Sequence, residues 1–182
     1  MSLFRHFASG EWYLSDLGPA ALTAQPTLNR MYLAPFSVAE VTASFKTIGI
    51  AVTSGGANPI NVRAGIYSNT ASNNLWPNAL ITEWDTSAWD LTTTGQKTLA
   101  VTLNLSPGLY WLAPCCQGGG TRPTCAVITP NYAPGIPVTS LTTATSAGKS
   151  LRAAGVTDAL PATASGATWV WDNILALYLQ AA

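Results

Sequence analysis

Leu99-Ala100-Val101-Thr102-Leu103-Asn104-Leu105 alternates between a large apolar residue and a small or polar one, and this period of two decides the fold. Successive side chains of a strand point to opposite faces, so Leu99, Val101, Leu103 and Leu105 share one buried face. The same period recurs where Ile60, Val62, Ala64 and Ile66 alternate with Asn61, Arg63, Gly65 and Tyr67. Between Val38 and Thr53 the apolar set Val41, Ala43, Phe45 gives way to Ile48, Ile50, Val52, one residue out of phase. A pleated strand absorbs such a slip only with a bulge or bend, so two sheet segments meeting near Lys46-Thr47 are expected.

Turn chemistry separates these runs, at 53–59, 68–77, 92–95, 106–108 and 117–123. The spacing is that of a sandwich or barrel. Ser106-Pro107-Gly108, set between Leu105 and Leu109, predicts a tight hairpin joining strands 97–105 and 109–115. Residues 129–161 are rich in Pro, Gly, Ala, Ser and Thr and read as long loops with one or two short strands. From Thr168 to Gln180, Trp169, Trp171, Leu175, Leu177 and Leu179 take odd positions, and Val170, Ile174 and Tyr178 even ones. Apolar residues on both faces predict a central strand, or an edge covered by a partner. A short helix competes for this segment, and its Trp, Val, Ile and Tyr weigh toward strand. The expectation is an all-β, antiparallel two-sheet β-sandwich with almost no helix. It comprises one domain, 10–182, behind a short N-terminal arm, 1–9. Its core should hold Phe45, Ile48, Ile50, Ile66, Leu99, Val101, Leu103, Trp111 and Leu177.

Composition narrows the function classes. Charged residues are 9% of the 182, against about 25% in a typical soluble domain, so hydroxyls, amides and backbone must wet the surface. A chain 48% hydrophobic with seven Trp is expected to fold. The formal net charge is zero, and Lys and Arg are scattered singly, which argues against a nucleic-acid partner. No apolar run reaches the length of a membrane-spanning helix, and no signal peptide is read at the N-terminus. Synthesis in a cytoplasm without membrane insertion is the expectation.

Candidate chemistry is sparse. The single histidine, His6, has no recognisable nucleophile and carboxylate around it. Cys115, Cys116 and Cys125 show neither a disulfide framework nor zinc spacing, and read as small buried hydrophobes. Glu83 with Asp85 or Asp90 is the one close carboxylate set, and a strand end and turn explain it better than glycoside hydrolysis. Neither glycine run, 55–56 or 118–120, leads into a phosphate-loop pattern, and no calcium-loop spacing occurs. No cofactor or metal is therefore expected. Trp76, Trp84 and Trp89 near Tyr67 are candidates for a sugar-stacking platform, with core packing as the favoured alternative.

Five strings carry a resemblance. They are Arg30 to Phe36 (RMYLAPF), Ile48 to Gly56 (IGIAVTSGG), Val62 to Tyr67 (VRAGIY), Pro77 with Ala79 to Ile81, and Leu105 to Ala113 (LSPGLYWLA). In this order, over Asn29 to Ala113, the chain resembles a domain of tailed-bacteriophage structural proteins, among them head and tail fibre and capsid decoration components. The resemblance implies a jelly-roll-like sandwich at the virion surface, with no catalytic residues to carry over. It also implies major capsid or tail proteins as partners, and a homotrimer. The leading expectation is a capsid decoration, cement or head-fibre protein; the alternative is a tail-tip or tail-fibre module recognising a host-surface glycan. Candidate assembly contacts are Leu3, Phe4 and Phe7 in the arm and Trp169, Trp171 and Tyr178 near the C-terminus.

Overall fold

The computed structural model describes residues 7–16, 22–39, 41–70, 76–128, 150–164, 166–170 and 173–182. The calls on Leu3, Phe4, His6 and Trp171 lie outside them. Among the described residues there are thirteen strands and no helix. In chain order they are β1 (Trp12–Tyr13), β2 (Leu22–Ala24), β3 (Arg30–Val38), β4 (Ala43–Ser54), β5 (Ile60–Asn69), β6 (Pro77–Asp85) and β7 (Gly95–Leu105). There follow β8 (Gly108–Gly118), β9 (Thr124–Ile128), β10 (Ser150–Ala154), β11 (Thr168–Val170), β12 (Ile174–Leu175) and β13 (Tyr178–Ala181). They form two antiparallel sheets. A six-stranded sheet has the order β11-β10-β3-β8-β5-β6; a seven-stranded sheet runs β1-β13-β4-β9-β12, with β7 on β4 and β2 on β9.

Strands β3 to β8 trace one long hairpin that has been rolled up: β5 pairs β6, β4 pairs β7 and β3 pairs β8. Rolling brings β5 beside β8 and carries the β4–β7 pair to the opposite sheet, which is a jelly-roll winding. The expected 97–105/109–115 hairpin is therefore wrong. β7 matches β4 along its length, β8 is held on both sides by β3 and β5, and Ser106-Pro107 crosses between the sheets. The Tyr110 hydroxyl donates to the Ser106 carbonyl at 2.8 Å and fixes that corner.

The phase slip behaves as expected in place but not in consequence. The β4–β7 register shifts between Phe45 and Thr47, so a bulge at Lys46 returns Ile48, Ile50 and Val52 to the face of Phe45. One bulged strand results, not two sheet segments. The segment 168–180 is likewise not one strand. β11 belongs to the six-stranded sheet, and β12 and β13 to the other. Its two apolar parities serve two clusters: Leu175, Leu177 and Leu179 enter the inter-sheet core, while Ile174 and Ala176 pack with Tyr32, Ala34 and Ile128.

The inter-sheet core contains Phe45, Ile48, Ile50, Ile66, Leu103 and Leu177 as expected, with Phe36, Leu112, Cys116 and Cys125. Leu99 and Val101 are only half-buried beside it, because β7 is an edge strand. Trp111 is buried on the other face of the six-stranded sheet, in a second cluster with Tyr67, Ala113 and Cys115. Val156, Leu160, Ala164 and Ala167 cover that cluster. The face that alternation marked as polar, Arg63-Gly65-Tyr67, is thus roofed by the chain's own 155–167 segment.

Candidate functional site

Among the described residues a cleft and a groove lie on the outer faces of the two sheets, and they use their polar groups differently. On the six-stranded sheet a cleft of about 420 Å³ is lined by Asn61, Arg63, Gln117, Thr157 and Asp158, among others. Alternation along β5 and β6 aims Arg63, Glu83 and Asp85 outward, and the register sets Arg63 opposite Asp85. Arg63 Nη1 lies 3.1 Å from Glu83 Oε1, and Nη2 lies 3.8 Å from carboxylate oxygens of both Asp85 and Asp158.

These groups brace the roof. Glu83 Oε1 also accepts the Leu160 N–H at 3.0 Å. Gln117 Nε2 donates to the Val156 and Asp158 carbonyls at 3.0 and 2.7 Å. The Tyr67 hydroxyl donates to the Pro161 carbonyl at 2.6 Å, and the Leu80 N–H to the Ala162 carbonyl at 2.9 Å. Gly65 makes the seat: a Cβ there would stand 2.5 Å from Leu160 Cδ1. Burial, then the Glu83 charge, raises the Tyr67 phenol, and burial pushes the Cys115 thiol up to about 12. Both stay protonated, the reverse of what a nucleophile requires. One atom is left over: Arg63 Nε is buried without a hydrogen-bond partner.

The carboxylates considered for hydrolysis divide between two places. Glu83 and Asp85 are engaged by Arg63, whereas Asp90 closes its own turn, accepting from the Thr92 N–H and the Thr92 and Thr93 hydroxyls. The Thr92 hydroxyl bond is the chief cause that lowers the Asp90 carboxyl. Among the described residues no group of three or more His, Cys, Asp or Glu could hold a metal ion. No helix among them is long and apolar enough to cross a membrane.

On the seven-stranded sheet a groove of about 210 Å³ is lined by Trp12, Gly49, Ile50, Ala51, Gln96, Thr98 and Tyr178. Tyr178, Gly49 and Thr98 form one row across β13, β4 and β7, and Ala51 lies opposite Gln96 in the next outward row. The Trp12 ring edge comes within 3.4 Å of where a Gly49 Cβ would stand, so the missing side chain leaves the floor open beside the indole.

The predicted sugar platform is not assembled. Tyr67 is wholly buried under the 155–167 roof with half-buried Trp76 packed against the same cluster, while Trp84 and buried Trp89 belong to the inter-sheet core on the opposite face. Phe7 also departs from expectation. It packs on Tyr13, Phe36 and Phe45 with ring centroids 4.8, 5.7 and 5.2 Å away, so it belongs to the sandwich and not to a free arm. Trp169, on β11, lies opposite Leu151 of β10. Tyr178 is half-buried and lines the groove. Trp12, its aromatic neighbour, went unnoticed in the sequence because a two-residue strand shows no period.

Set against protein-family models and against curated proteins, the chain matches none.

Proposed function

We propose that the chain is a non-enzymatic structural subunit of a phage virion surface, of the capsid decoration, cement or head-fibre kind. In this reading it binds other virion proteins and closes on itself as a homotrimer. The observation that carries assembly is the edge of β7. Eleven residues, Gly95 to Leu105, pair only with β4 among the described residues, and they contain one charge, Lys97, and no proline. Monomeric proteins guard such an edge with charges, proline or a covering segment. The edge strand β6 of the other sheet shows the contrast: it begins with Pro77, carries Glu83 and Asp85, and is bridged at Ala79 by Thr163. Among the described residues Lys97 is the one such guard of β7, and its Leu99 and Val101 are only half-covered. Pairing with a neighbouring subunit would complete both the ladder and the burial, and closed symmetry would do so without open-ended polymerisation.

The virion assignment rests on the resemblance alone, whose five strings fall mainly on β3, β4, β5, β6 and the β7–β8 crossing, the strands of the rolled hairpin. Leu3, Phe4, Trp169 and Trp171 remain proposed contacts. Mass spectrometry of purified particles tests the assignment: the chain is expected at fixed stoichiometry to the major capsid or a tail protein. Its absence from particles, or a coding sequence outside any phage or prophage genome, would overturn it.

A further inference from the structure

We infer that the Trp12–Tyr178 groove binds one neutral pyranose ring, as a terminal or internal residue of a glycan. The inference does not rest on the virion reading.

The first argument is polar groups left unused. The indole N–H of Trp12, the hydroxyls of Tyr178 and Thr98 and the carboxamide of Gln96 make no hydrogen bond among the described residues. The other carboxamides of glutamine behave differently: Gln25, Gln117 and Gln180 each donate to a backbone carbonyl. Donors and acceptors thus stand together around an apolar floor of Gly49 and Ala51. A sugar ring presents the matching pattern of C–H faces and hydroxyl edges. Indole and phenol faces carry the negative side of the ring quadrupole, which attracts polarised C–H groups, while the N–H and O–H tips hydrogen-bond.

Charge and size narrow the occupant. Among the described residues no acidic or basic side chain lines the groove, and nearby Lys97 is occupied by the Thr93 hydroxyl at 2.8 Å. An anion would lack a counter-charge. A quaternary ammonium wants a cage of aromatic faces, which two aromatics interleaved with Gln96 and Thr98 do not form. The volume, about 210 Å³, is below the roughly 300–1,000 Å³ of drug-sized sites, and suits one ring. A peptide adding to the sheet would need a strand edge, and the groove lies on a sheet face.

Saturation-transfer NMR on the full chain tests this with methyl α-glucopyranoside, methyl α-galactopyranoside, methyl α-mannopyranoside and tetramethylammonium. At least one glycoside should receive saturation on the C–H protons of one ring face. The transfer should vanish in Trp12→Ala and weaken about fivefold in Gln96→Ala, the value of one lost hydrogen bond. Gln96 is exposed and unbonded, so its variant keeps the fold and decides the matter even where Trp12→Ala does not fold. Transfer to none of the glycosides, binding unchanged in Gln96→Ala, or displacement by tetramethylammonium would each overturn the inference. A polysaccharide carrying the bound sugar then separates a glycan from a free monosaccharide: tighter binding than the methyl glycoside assigns the glycan, and equal binding assigns the free sugar, which contradicts the glycan half.

Discussion

The Arg63 cleft and the Trp12–Tyr178 groove both carry polar side chains and put them to opposite use. In and beneath the cleft, the side chains of Arg63, Glu83, Gln117 and Tyr67 bond to one another or to the backbone of residues 155–164. In the groove, Trp12, Gln96, Thr98 and Tyr178 bond to nothing described. Polar groups satisfied within the chain make stability, since a satisfied network resists opening and a broken one strands its partners. Polar groups held in a groove and left unsatisfied are free for a ligand. The cleft, the larger of the two, is therefore the structural one.

Alkali should give the largest effect, and it acts on the covered side and the core. Cys115, Cys116 and Cys125 are each pushed from an ordinary 9.0 to about 12, with burial the first cause. The folded chain then keeps thiol protons that the unfolded chain releases. Their stabilisation is complete below about pH 9 and is lost as pH rises toward 12. Urea midpoints measured across that window should fall steeply, and thiol reagents at pH 8 should react only after denaturation. A flat midpoint would contradict the burial of all three.

Next in size is Arg63→Met, which leaves Glu83 facing Asp85 and Asp158 without a counter-charge. Its cost should be about 2–3 kcal/mol by urea titration, discounted from the buried-pair range because the Arg63 side chain keeps 20% exposure. A cost below about 0.5 kcal/mol would place the cleft among ordinary surface ion pairs. The smallest effects sharpen the contrast. Tyr67→Phe, losing its bond to Pro161, should cost about 1 kcal/mol, whereas Gln96→Ala should stay within about 0.5 kcal/mol of wild type. Equal costs for the two would erase the distinction between cleft and groove.

The roll of strands was legible because its core faces alternate: Ile60 to Ile66 and Leu99 to Leu105 each announce one buried side. The roof was not, because the 155–167 segment has no period; it is held by backbone carbonyls that any residue supplies. Its trace lay instead in β8, where Trp111, Ala113 and Cys115 occupy the phase opposite to Leu112 and Cys116, a strand covered on both faces. The hairpin misreading had a related cause. Ser106-Pro107-Gly108 specifies a tight turn but not whether the chain re-enters the same sheet, which is settled by β4 competing for β7 over nine residue pairs. Apolar Trp84, Trp89 and Tyr67 were visible as aromatics, but their assignment to two faces depends on the β5–β6 register, in which Trp84 lies opposite inward-facing Ala64.

Assembly through the sparsely charged edge of β7 is the claim on which the functional reading stands. Light scattering on the purified chain at tens of micromolar, beside an Ala100→Lys/Thr102→Lys variant, tests it most directly. Both positions are exposed, so charge reaches the edge without entering the core. The wild type should scatter as three copies of the 19.0 kDa chain and the variant as one, with the same far-ultraviolet β-sheet spectrum. A monomeric wild type, or a variant that remains trimeric, would contradict it.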